Sequence, residues 1–137
     1  MIIKSYIFEK NFRENDKYKC ILFYGENEGI KDDLKNKIKE ENSNSEIINI
    51  FQDEILKNNN LLFDNLANPS LFNERKIIFL HEVNDKIYDT INESFETKFS
   101  DTKLYIFSKN LEKRSKLRNL FEKNKKLVCV PVYKDDH

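Results

Sequence analysis

The chain has no tryptophan, only two glycines, two prolines and two cysteines in 137 residues, and no apolar run long enough to cross a bilayer. Its 24 basic residues are matched by 24 acidic ones, so the formal net charge is zero. That balance removes the usual electrostatic case for a nucleic-acid surface and leaves only local patches to consider. The opening residues, MIIKSYIFEKNFREN, meet a lysine after two isoleucines and so form no secretory signal core. Cys20 and Cys129 lie far apart without a CxxC or Cys/His grouping, which points to free, reduced thiols in a cytosolic protein. His81 and His137 have no neighbours at metal-ligand spacing, so no metal is expected. No Ser/His/Asp, Cys/His or paired-carboxylate set can be assembled, and catalysis is not expected. The excess of Lys, Asn and Ile reads as compositional bias of the source.

What is present is regular. Five short apolar runs recur: Cys20–Tyr24 (CILFY), Glu46–Phe51 (EIINIF), 76–80 (KIIFL), 103–107 (KLYIF) and 127–132 (LVCVPV). They are continuous rather than alternating, which is the pattern of parallel strands buried on both faces. Helical stripes fill the gaps. Ile30, Leu34 and Ile38 follow a capping Asn27; Ile55, Leu62 and Leu66 form a segment broken at Asn58 to Asn60. Ile87, Ile91 and Phe95 follow Asp85, and Leu117, Leu120 and Phe121 follow Asn110, the expected cap, with Glu112 and Lys116 paired on the outer face. Strand and helix alternating throughout predict one three-layer α/β domain over residues 1–137, without repeats or linkers. Pro131 marks an edge strand or a strand end. The polar finish at 132–137 (VYKDDH) suggests one domain of a longer protein.

In an open parallel sheet, ligands bind beyond the carboxyl ends of the strands. Here those ends are the loop at Gly25, then Gln52, His81 with Glu82, and Ser108-Lys109-Asn110. The loop Gly25-Glu26-Asn27-Glu28-Gly29 occupies the place of a phosphate-binding loop, between a strand and a helix. Counted from Gly25, the GxxxxGK[ST] pattern requires Gly at 30 and Ser or Thr at 32. The chain has Ile30 and Asp32, with only Lys31 in place, and Glu26, Glu28, Asp32 and Asp33 crowd the site with negative charge. Gly25 and Gly29 then serve to shape a tight turn, and no nucleotide or other cofactor is expected. Lys109, Lys113, Arg114, Lys116 and Arg118 form a basic cluster, read first as a solvated face and second as a phosphate contact.

Residues 67–80 (ANPSLFNERKIIFL) carry the most specific signal. Pro69 biases Asn68 away from helix, and Ser70 can cap a short new turn. Adjacent residues on a turn diverge by about 100°, so Leu71 and Phe72 cannot easily face one core together. At least one should protrude, ready for a partner's pocket; the competing reading is that both are ordinary core residues, as most Leu and Phe after a loop are.

The order MIIKSYIF, ILFYGENEG, FDNLANPSLFNERKIIFL, TKLYIFSKNLEKRSKLRNLFEK and LVCVPVYKDD resembles the delta subunit of the bacterial DNA polymerase III clamp loader, over the N-terminal portion of that family. The resemblance implies an AAA+-like, P-loop-NTPase-type αβα domain with a five-stranded parallel sheet in the order 5-1-4-3-2, right-handed crossovers and a degenerate phosphate loop. It implies that Leu71 and Phe72, flanked by Ser70 and Asn73, enter a hydrophobic pocket on the sliding clamp (the beta subunit) and help open the ring. It further implies a cytoplasmic, nucleoid-associated protein of DNA replication, a non-catalytic subunit of the DNA-directed DNA polymerase holoenzyme. The family's helical lid and collar domains, which hold the other clamp-loader subunits, have no counterpart here, and DNA is expected only within the full complex. Two alternatives are an active P-loop ATPase domain and a nucleic-acid-binding domain using the 109–118 cluster.

Overall fold

The computed structural model describes residues 1–72 and 75–134. Its centre is one five-stranded sheet, β1 (Cys20–Tyr24), β2 (Glu46–Phe51), β3 (Lys76–Val83), β4 (Thr102–Ser108) and β5 (Val128–Pro131). All pairings are parallel and the order is β2-β3-β4-β1-β5, which is the order implied by the sequence resemblance. The helices are α1 (Ser5–Lys10), α2 (Glu28–Glu41), α3 (Gln52–Lys57), α4 (Asn60–Ala67), α5 (Tyr88–Ser94) and α6 (Lys116–Lys123).

Successive strand residues point to opposite faces, and both faces are dry. On one face Leu22, Ile78, Leu80, Leu104 and Ile106 pack against Ile55, Leu62, Leu66, Ile91, Leu117 and Phe121 of α3 to α6. On the other, Ile21, Phe23, Phe79, Tyr105 and Val130 pack against Phe8 of α1 and Leu34 and Ile38 of α2. This two-sided burial is why the runs are continuous in sequence. The exception is β2, an edge strand with only Ile50 buried. Cys20 and Cys129 are free and buried on adjacent strands, within the same core.

Pro131 closes β5, the other edge strand. The amide and carbonyl of Cys129 face outward, bonded to Met1 O and Ile3 N at 2.9 Å each. Two residues on, Pro131 directs its nitrogen to the same outer side, where no β1 partner requires a donor. The sheet's outer edge is thus partly covered by the first three residues.

One helix start differs from expectation. The cap of α6 is Ser115, whose Oγ accepts from Arg118 N at 3.1 Å, and not Asn110. Residues 111–115 are not helical, so Glu112 cannot sit one turn from Lys116; it pairs instead with Arg114 at 3.2 Å. The i,i+4 ion pair on α6 is Arg118–Glu122, at 3.4 Å. Asp85, which precedes the α5 stripe, is spent on α6: its carboxylate accepts from Ser115 Oγ (2.6 Å), Lys116 N (3.0 Å) and Leu117 N (3.3 Å). The cap at that earlier position is Asn84, accepting from Lys86 N at 2.9 Å. Asp85→Ala removes a charged cap of three donors and should lower unfolding free energy by about 1–2 kcal/mol, measured by urea denaturation. An unchanged midpoint would show that water replaces the carboxylate at no cost.

Candidate functional site

The loop after β1 is built around Gly25. Its φ of +131° lies where side chains are strained, and a Cβ there would overlap the Val132 carbonyl. Gly25 N donates to Lys109 O (3.0 Å), and Asn27 N to Val132 O (3.2 Å), so the loop is sewn to the ends of β4 and β5. Asn27 Oδ1 accepts from Ile30 N at 3.0 Å and caps α2, as expected. Gly29 has a different status. It lies in the first turn of α2, where an added Cβ would meet only Asn27 Oδ1 at an ordinary 3.5 Å, and it shapes no turn.

Lys31 is the deciding residue of this loop. Its side chain is 3% exposed, and its ammonium donates to Gly25 O (2.9 Å), Ser108 O (3.0 Å) and Glu28 Oε1 (2.8 Å). Three donors meet three acceptors. The ammonium that would meet a phosphate is bound to the protein's own carbonyls, while Glu26, Glu28, Asp32 and Asp33 are exposed around the helix start. Such a turn repels a polyanion. Titration with Mg-ATP should give neither heat nor a thermal shift up to millimolar nucleotide; micromolar binding would show that Lys31 leaves its carbonyls readily.

The other strand ends serve the fold. Gln52 is buried and exchanges two hydrogen bonds with Asn84, at 3.0 and 2.8 Å. Glu82 sits at an irregularity of β3 with φ of +54°. His81 stacks on Phe107, with ring centroids 5.8 Å apart, contacts Phe51, and its Nε2 lies 2.8 Å from Asn49 Oδ1. Partial burial, then the charges of Lys35 and Lys39, lower its pKa to about 4. The folded state therefore disfavours the imidazolium, and the penalty grows as pH falls from the unfolded value near 6.5 towards 4. His81→Phe should gain stability relative to wild type across that window and show no such gain above pH 7. Parallel stability curves would refute the shift.

The basic cluster at 109–118 does not form one surface. Arg118 is largely buried, with its guanidinium 5.0 Å from the Tyr24 ring centroid and bonded to Leu111 O at 2.8 Å. Arg114 is paired with Glu112, and the Lys116 ammonium lies 5.9 Å from the Tyr88 ring.

Leu71 and Phe72 stand apart from all this. They are 86% and 91% exposed, the two most exposed large apolar residues in the described structure. Helix α4 ends at Ala67; Asn68 is extended, as its following proline requires. Ser70 is half-buried and residues 71 and 72 form a bend, whereas Asn73 lies outside the described residues, as does His137.

Both arms of this loop are pinned by charge. On the outgoing arm, Lys76 is buried and donates to Asn65 O (2.9 Å) and Asn68 O (2.6 Å), two carbonyls at the end of α4. A cation there also meets the negative end of the helix dipole. Next to it, Arg75 Nη1 reaches both oxygens of Asp16 at 3.2 Å, and Lys103 Nζ reaches Asp16 Oδ1 at 2.8 Å. Partial burial alone would raise the Asp16 carboxyl, but the Lys103 and Arg75 charges outweigh it and hold its pKa below the ordinary value. Sequence reasoning found the apolar pair and missed these anchors, because Asp16 and Lys103 lie far away in the chain.

Among solved structures, the chain is similar to the Bacillus subtilis DNA clamp loader delta protein (YqeN), with a TM-score of 0.66 and 10% identity over 94% of the chain. The likeness is one of fold. The chain spans 42% of that protein's length. No family model matches the sequence, and no curated protein does. No helix among the described residues is long and apolar enough to cross a membrane, and no cluster of potential metal ligands occurs among them.

Proposed function

We propose that this chain is the clamp-binding part of a clamp-loader delta subunit, a module of DNA replication that opens the sliding clamp without hydrolysing ATP itself. The observation that carries the proposal is the exposed Leu71–Phe72 pair, held on a loop pinned at Arg75 and Lys76. The fold of the clamp loader delta protein supports it, as does the sequence resemblance at residues 69–72. Ser70 and Asn73 flank the contact. The engaged Lys31 supports a degenerate phosphate loop and speaks against the ATPase alternative.

The mechanism is differential affinity. A ligand shifts a conformational equilibrium only by binding one state better than the other. Leu71 and Phe72 bind the clamp whose ring interface is distorted better than the closed ring, and so favour opening. In this reading the other loader subunits attach through domains outside this chain, DNA is met only within the assembled loader, and the protein works in the bacterial cytoplasm as a non-catalytic subunit of the polymerase III holoenzyme.

Each side chain buried in a clamp pocket should contribute roughly 1.5–3 kcal/mol. Replacing both by Ala should therefore remove about 3–6 kcal/mol, or roughly two to four decades of clamp affinity. The melting temperature should hardly change, because residues this exposed hold no core. A double mutant that binds the source organism's clamp as well as wild type would end the proposal.

A further inference from the structure

Parallel strands put all five N-terminal strand ends at one end of the sheet. A cleft of about 660 Å³ opens there, between the segments that lead into β1, β4 and β5. Its floor includes Phe95 and Phe99, and its rim carries Lys17, Lys19, Lys125 and Lys126. All four lysines are exposed, and none of their ammonium groups is in a salt bridge among the described residues. No carboxylate lines the cleft. In a chain of zero net charge this is an uncompensated local field. None of the basic residues at 109–118 singled out in the sequence lines it.

We propose that this cleft docks an acidic peptide segment of a partner protein, with one apolar side chain seated on the phenylalanine floor and carboxylates over the lysine rim. Charge complementarity sets the sign of the occupant. The floor sets its form. Phe99 is buried, Phe95 and Tyr18 are half-buried, and the Lys17 ammonium lies 5.3 Å from the Tyr18 ring centroid, so the cleft presents no fully exposed ring face on which a nucleic-acid base stacks. A compact apolar side chain fits such a recess, and flexible lysines around it suit the carboxylates of an extended chain. The proposal stands independently of the Leu71–Phe72 contact.

The test is a fluorescence-anisotropy titration of the whole chain with a fluorescein-labelled peptide, Asp-Glu-Asp-Glu-Asp-Leu-Phe. Binding should weaken as salt rises. The Lys125→Glu/Lys126→Glu variant changes only exposed loop positions and should melt like wild type, yet bind the peptide at least about tenfold more weakly. An Ala-Ala ending in place of Leu-Phe should weaken binding by a similar factor, as loss of the apolar anchor requires. The Leu71→Ala/Phe72→Ala variant should bind this peptide unchanged, which separates the two surfaces. No binding at millimolar protein, or equal binding by the charge-reversed variant, would overturn the proposal. Tighter binding of a twelve-residue oligothymidine would reassign the cleft to nucleic acid. Self-association that excludes the peptide would reassign it to a second copy of the chain.

Discussion

Five strands that all run the same way sort every loop of this protein to one of two ends. Loops that leave strands gather at the carboxyl end, and loops that enter them gather at the other. Burial on both faces holds β1, β3, β4 and β5 in place, while β2 closes the other edge with Ile50 alone buried. Once the sheet is set, the turn after β1 is tied to its neighbours at the carboxyl end. Lys31 joins the turn after β1 to the end of β4, and Val132 receives the amide of Asn27. At the opposite end Arg75, Lys76 and Lys103 are engaged by Asp16 and the end of α4, while Leu71, Phe72 and the lysines at 17, 19, 125 and 126 are exposed.

Burying an ammonium is costly unless each of its protons is satisfied. At Lys31 two carbonyls and a carboxylate satisfy them, and the two carbonyls belong to strand ends that must lie side by side. A lysine at this position of a phosphate loop must stay free to meet its ligand. This one is a structural cross-link, and releasing it would strand both carbonyls. Loss of nucleotide binding is therefore coupled, in the proposed reading, to gain of a fixed strand-end geometry.

Much of this was legible in the chain, for identifiable reasons. Continuous apolar runs report two-sided burial, so the parallel sheet and its helices could be read from residues such as Ile77 to Leu80 and Leu104 to Phe107. Adjacency and Pro69 gave reason for at least one of Leu71 and Phe72 to protrude, and the structure exposes both. What local pattern missed was set by distant partners. Asn110 has the chemistry of a cap, but Asp85, 30 residues away from Ser115, decides where α6 begins. The 109–118 cluster looks basic only until Arg118 turns onto Tyr24 and Glu122. The lysines that do share a field form two pairs, Lys17 with Lys19 and Lys125 with Lys126, more than a hundred residues apart in sequence and brought together by the pairing of β1 with β5.

Displaying two large apolar side chains in water is unfavourable unless the loop that bears them is held by something else. Here the holding forces are electrostatic and sit at the base of the loop. Lys76 grips the last carbonyls of α4, and Arg75 grips Asp16, itself held by Lys103. Because Lys76 opens β3, the anchor is continuous with the most buried part of the sheet. Binding by a mobile loop would lose part of its gain to ordering, at roughly 1–2 kcal/mol of backbone entropy per residue fixed. A pinned base leaves fewer residues to order when the tip is covered. In the proposed mechanism that saving is passed to the clamp, since the free energy left after ordering is all that can bias a ring between closed and open. The charged base and the apolar tip thus act as one device, in which the first makes the second energetically useful.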